Sequence, residues 1–174
     1  DRQNTPAGVY FRASPHRESL ARIRLWWEGQ GEGGATAADL ADFTEIEQTL
    51  DLWNGVLRSR FRIEGEPVSV ETLCHPRLDL VAVRVVSRLV GLGRIAVRLR
   101  FPYGTGAATA ADWTRPEAHE TRIARQAPTS AALDRRLDDD RHHVRLAWAP
   151  AGRLAEAAKH AYVLEPAGDG EALE

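Results

Sequence analysis

The chain has no methionine and a single cysteine, Cys74. A lone cysteine excludes an intramolecular disulfide and does not identify the compartment. Cys74 sits in an alternating run, so it reads as a small buried hydrophobe, not a reactive thiol. No stretch approaches the roughly 20 apolar residues that span a bilayer as a helix, and no membrane partner is expected. An excess of one charge is missing too. Lys and Arg total 23 and Asp and Glu 25, a formal net charge of −2. That balance gives no general electrostatic reason to expect nucleic acid as partner. Lysine is almost absent: Lys159 is the only one among those 23 basic residues. Arginine at surface positions where lysine would serve equally well points to a GC-rich, bacterial coding sequence. No signal-peptide pattern is visible. GxGxxG, P-loop and GxSxG motifs are also missing, so nucleotide binding and hydrolase-elbow chemistry have no support and no cofactor is expected.

What remains is a chain of 174 residues, 43% hydrophobic and 28% charged, long enough to fold around a sizeable core. Its ends, DRQNTPAGVY and GDGEALE, lead us to expect a piece of a longer protein. The segment through Ser19, with Pro6 and Pro15, reads as irregular. LARIRLWW (20–27) alternates and reads as a strand. Residues 28–44 are Gly-rich, then Ala-rich, and predict a loop with a helical turn near Ala37–Phe43. Next, Asn54-Gly55 predicts a hairpin, because both central positions of a type I′ turn need positive φ. Alternation resumes over Leu57–Ile63, turns at residues 64–67, and continues over Val68–Cys74. It breaks at HPRLD (75–79) and returns over Val81–Val85. After a loop around LVGLG (89–93) it runs again over Ile95–Phe101. Five successive strands with short connections make antiparallel neighbours, a β-meander. Residues 104–120 predict a long irregular loop. Strand-like runs follow at Thr121–Gln126, Ala132–Leu137 and Val144–Trp148. Residues 151–166 stay open between helix, which their alanines favour, and strand. The predicted fold is all-β: one antiparallel β-sandwich over 1–174, of about nine to eleven strands with few or no helices.

Chemistry is harder to read. Asp138, Asp139 and Asp140 precede His142 and His143, but neighbours on an extended strand point to opposite faces, so an acidic turn explains the run better than a metal site. No catalytic residue and no metal ligand is assigned. The aromatic residues Trp26, Trp53, Tyr103, Trp113 and Trp148 are possible stacking platforms for sugar rings, although most such rings in β domains are core. Trp27 and Trp148 lie in register with core residues. Trp113 differs: it sits in the 104–120 loop, in DWTRPEAHE, beside Arg115 and His119. Those three are the candidate contacts to a polar ligand, against the plainer reading that the tryptophan anchors its loop.

The run LDLWNGVLRSRFRIEGEPVSVETLCHPRLDLVAVRVVS resembles the N-terminal β-sandwich of the six-hairpin glycosidase superfamily, in particular glycoside hydrolase family sixty-five and its relatives. The resemblance is carried by Leu50, Asp51, Gly55 and Leu57, by the corner His75-Pro76, and by Asp79 to Val83. It covers roughly residues 46 to 101. It implies a supersandwich domain preceding an (α/α) toroid that acts on glycosidic bonds by hydrolysis or phosphorolysis. The toroid would carry the catalytic acid, so no catalytic residue transfers to this chain. The expected partners are that toroid and an oligo- or disaccharide, with the 104–120 loop bordering the active-site mouth. The alternatives are a free-standing carbohydrate-binding module and a structural or oligomerisation domain using its outward arginines.

Overall fold

The computed structural model describes residues 5–13, 19–27, 42–105, 110–167 and 172–173. Among them are fourteen strands and two short α-helices. The all-β, antiparallel class that the alternation predicts is the one found. The expected helical turn in 28–44 falls largely outside the described residues. The chain divides into two compact units: one holds residues 25–97, 147–153 and 164–174, the other residues 1–24, 98–146 and 154–163.

The first unit is built on the predicted meander. Strands β2 (Phe43–Asp51), β3 (Val56–Ile63), β4 (Glu66–Cys74) and β5 (Val81–Val86) pair successively, and β14 (Ala172–Leu173) adds to β5. The registers Leu57↔Thr72↔Val83 and Ser59↔Val70↔Val85 put one set of side chains on a common face. Val85 is 0% exposed, and Ile63, Val68 and Leu173 are buried on that face with it. Trp27 and Phe61 each pack against Phe43, at centroid distances of 4.8 and 5.2 Å. Trp27 and Trp148 are buried as their register predicts. The opposite face carries the arginines. Arg58 donates to Glu71 at 3.0 Å, and Arg84 follows in the same row. Exposed pairs of this kind add little stability and keep the face solvated.

Several expectations need correction here. The meander ends at β5, because the fifth expected strand, β6 (Ile95–Arg100), joins a different sheet of order β1-β6-β13-β12. In that sheet β1 is Arg22–Trp27, β12 Gly152–Ala158 and β13 Ala161–Pro166. What diverts the chain is helix α2 (Arg88–Gly91), in the stretch read as a loop. The Ser87 hydroxyl caps it by accepting from Leu89 N at 3.2 Å, while Leu89 and Val90 are buried. The Asn54-Gly55 turn differs in type from the one expected, while the turn at 64–67 is found. Glu64-Gly65, with φ of 53° and 82°, is the two-residue turn with positive φ at both positions. Asn54-Gly55 belongs to a wider turn, in which Gly55 N donates to Asp51 O at 2.8 Å and only the glycine takes positive φ. Cys74 is exposed, not buried, because β4 runs past the covered part of its sheet.

In the second unit β9 (His119–Ala127), β10 (Ser130–Leu137) and β11 (Asp140–Ala147) form a three-stranded sheet. Asp138-Asp139 is the turn between β10 and β11, as the acidic run implies. The 104–120 loop is less irregular than predicted. Strands β7 (Tyr103–Gly104) and β8 (Ala111–Asp112) pair across it, and a 3-10 turn spans Pro116–Ala118. The amino-terminal segment is a helix, α1 (Pro6–Ala13). Thr5 starts it, its hydroxyl accepting from Gly8 N at 3.1 Å, with Pro6 at the first helical position. Residues 151–166 resolve as two strands joined at Lys159-His160, so pairing overrides the alanines' helical preference.

Candidate functional site

The three ligand-contact candidates all lie in the second unit. Trp113 is half-buried, and the guanidinium carbons of Arg22 and Arg100 lie 4.6 and 4.9 Å from its ring centroid. A sugar stacking on a face so covered would first have to displace a cation. Arg115 lies over Tyr103, 4.3 Å from the ring centroid. The Tyr103 hydroxyl donates to both carboxylate oxygens of Asp138, at 3.0 and 2.9 Å. That hydrogen bond, followed by desolvation, raises the phenol's pKa above its ordinary value.

His119 lies 6.2 Å from the Tyr103 ring and stacks on His160 with centroids 3.8 Å apart. Tyr103 therefore links Arg115 and His119, while Trp113 is held separately by Arg22 and Arg100. His160 is 5% exposed, and its Nε2 lies 2.7 Å from the Pro116 carbonyl. Only an N–H can bond that oxygen, so the Nε2 proton is fixed. The Nδ1 of His160 is buried without a partner.

Beneath this stack lies Arg135, which the sequence reading missed. It is 2% exposed. Its Nη2 donates to Pro102 O at 2.9 Å, Nη1 to Thr121 Oγ1 at 2.8 Å, and Nε to His142 Nε2 at 3.2 Å. Its Nη1 is also 3.4 Å from His119 Nδ1. A guanidinium only donates, so it holds the facing imidazole nitrogens as bare acceptors. Burial, the neighbouring His160 and Arg135 accordingly lower the His119 pKa from 6.5 to about 4. The cluster pins the loop at further points. Lys159 pairs with Glu117, and Asp112 accepts from Thr114 N at 2.8 Å. Among the described residues no group of three or more His, Cys, Asp and Glu converges as a metal would require.

This arrangement has a consequence in acid. Between pH 6.5 and 4 the unfolded chain protonates His119 while the folded chain does not, so folding stability falls as pH falls through that interval. We expect Tm to drop between pH 6.5 and 5, above the usual carboxylate range, and the drop to be smaller in His119→Gln. Equal slopes for the two proteins in thermal melts would contradict this.

A second place of interest is the far end of the meander, in the first unit. The registers Asp51↔Val56, Val56↔Leu73 and Leu73↔Ala82 bring the β2–β3 hairpin tip beside the β4–β5 corner. The hairpin is rigidly made. Asp51 Oδ1 accepts from Trp53 N at 3.0 Å and Asn54 N at 3.1 Å, and Oδ2 accepts from Asn54 Nδ2 at 2.7 Å. These bonds hold the Asp51 carboxyl below its usual pKa. At the corner, His75 Nδ1 accepts from Arg77 N and Leu78 N, both at 3.1 Å. So buttressed, the end presents apolar side chains to solvent: Trp53 is 95% exposed and Leu52 85%, and Leu50, Leu73, Leu78, Leu80 and Val81 are exposed around them. Compared with known proteins, the chain matches no family model and no curated protein.

Proposed function

We propose that this chain is a non-catalytic β-sandwich domain of a carbohydrate-active enzyme, a glycoside hydrolase or phosphorylase, and that it docks on a helical toroid through the far end of its meander. The observation that carries this reading is the exposed apolar end around Trp53 and Leu52. Soluble proteins rarely leave so contiguous an apolar surface in water unless another protein body covers it. The residues behind the glycosidase resemblance support the same location. Leu50, Asp51, Gly55 and Leu57 are distant in sequence from His75, Pro76 and Asp79 to Val83, yet the sheet register gathers both groups at that end. Their local roles are those of a scaffold. Asp51 closes a turn and His75 holds a corner; neither is placed for acid–base chemistry on a ligand. A fully exposed tryptophan on a rigid hairpin is the kind of anchor that dominates protein interfaces. The covered Trp113 gives less support to a free-standing sugar-binding module.

The test compares this chain alone with the full-length protein. Alone, it should turn over no chromogenic glycoside, with or without phosphate. In the full-length protein, backbone amides of residues 50–57 and 75–82 should exchange with solvent at least about tenfold more slowly than in the isolated chain. Trp53→Ser with Leu52→Ser should remove that protection. Equal exchange in the two settings would refute docking at this end, and sustained turnover by the isolated chain would refute a non-catalytic role.

A further inference from the structure

The sheet of β9, β10 and β11 carries a shallow cleft of about 240 Å³, lined by Glu120, Arg122, Asp134, Arg136, Arg141 and His143 and by the buried Arg135. At the roughly 30 Å³ a water takes up in the liquid, this is room for about eight waters, or for a ligand the size of a hexose. Alternation along β10 explains its exposed lining. Leu133, Arg135 and Leu137 are buried on one face, while Asp134 and Arg136 point to the other. Within the cleft each Asp134 oxygen already has one partner and keeps a second lone pair. Its Oδ2 accepts from Arg122 Nη2 at 2.8 Å, and its Oδ1 lies 2.8 Å from His143 Nδ1. Arg136 faces Glu120 in the β9–β10 register. Among the described residues, however, neither Arg136 nor Arg141 forms an ion pair, and both are exposed. Two uncommitted guanidinium groups thus share one concavity with two carboxylates. No tryptophan, tyrosine or phenylalanine lines it, so a neutral sugar would find no broad apolar ring to stack on.

We propose that this cleft binds a small hydroxylated oxyanion, a sugar bearing a carboxylate or a phosphate. Its charged group sits on Arg136 and Arg141, and its hydroxyls on Glu120 and Asp134. Guanidinium forks match the planar geometry of both oxyanions, which is why the two share one site chemistry. The site is independent of the docking reading, because its residues belong to the other unit and none lies near Trp53 in the sequence.

Calorimetric titration of the chain with glucuronate, glucose 6-phosphate, glucose and inorganic phosphate tests the assignment. One or both sugar acids should bind saturably, glucose should not, and inorganic phosphate should bind about tenfold more weakly for want of hydroxyls. The two acid arms distinguish carboxylate from phosphate. Raising salt to about 0.5 M should weaken the binding. Arg136→Ala with Arg141→Ala should weaken it at least about tenfold at unchanged Tm, since both side chains are solvent-exposed. Failure of both sugar acids to bind, or equal affinity in the double variant, would overturn the site. Inorganic phosphate binding as tightly as the sugar acids would overturn the roles given to Glu120 and Asp134.

Discussion

Arg135→Ala is expected to destabilise the chain by on the order of 4 kcal/mol. Two costs combine. The residue is 2% exposed, so truncation opens a cavity beside Phe101, whose ring centroid lies 4.9 Å from the guanidinium carbon. It also strips a donor from the buried Pro102 carbonyl and from Thr121 Oγ1, bonded at 2.9 and 2.8 Å. Each buried group left unsatisfied costs about 1–3 kcal/mol. For a domain of this size the sum lowers Tm by roughly 8–16 °C. Arg135→Met fills most of the volume and also removes a costly buried charge, so it should lose less than alanine. A second readout separates this network from simple packing. Arg135 is among the groups that depress His119, so in Arg135→Met the His119 titration, followed by NMR, should move up from about 4 toward 6.5. An alanine variant melting within about 2 °C of the parent would overturn the assignment.

The strands were legible because most of them are half-buried. Leu57, Ser59, Phe61 and Ile63 alternate with Arg58, Arg60 and Arg62, and one set meets the core while the other meets water. Partner choice was not legible. Alternation over Ile95–Arg100 gives a strand, but nothing in it says that the Ser87-capped helix α2 will carry that strand away from the meander. The Asn54-Gly55 turn departs from the expected type for a local reason. Asn-Gly usually closes a two-residue loop, but the Asp51 carboxylate captures the amides of Trp53 and Asn54 and widens the turn. Glu64-Gly65, without such a competitor, takes the tight form. The helix α1 has its signal in Thr5 followed by Pro6, a cap and a first helical residue, within a segment whose two prolines and polar residues read as irregular.

The candidate site was legible only where its residues are neighbours in sequence. Trp113, Arg115 and His119 stand close together in one loop, and the loop is indeed rich in polar contacts. Their partners come from elsewhere: Tyr103 from β7, Arg135 from β10, His160 from the β12–β13 turn, and Arg22 and Arg100 from β1 and β6. Single-sequence spacing carries no information about such contacts. One signal was available. In ALDRRL an arginine falls between Leu133 and Leu137 on the core-facing period, and a charge at such a position needs a dedicated set of partners. The same pattern put Asp134 and Arg136 on the opposite face, where the cleft lies.

Gly152→Ala is the second large effect, expected to cost about 2–3 kcal/mol, at the upper part of the range for overpacking. A Cβ at this position would stand 2.6 Å from the Glu165 carbonyl oxygen, 3.3 Å from Pro166 Cα and 3.3 Å from Trp148 Nε1. The nearest obstacle is backbone of β13, so no rotamer change can relieve it. Strand β12 would have to move away from β13, straining the adjacent bond from Ala167 N to Ala151 O, now 2.7 Å. Trp148, buried against the same spot, would shift with it. Tm should fall by roughly 4–12 °C, and the near-ultraviolet circular dichroism of the buried indole should weaken. Gly93→Ala is the control. Its Cβ would meet open space, and only its φ of 69° opposes the change, at a cost of about 1 kcal/mol. If Gly152→Ala melts no lower than Gly93→Ala, close approach of the two strands is not what requires glycine at position 152.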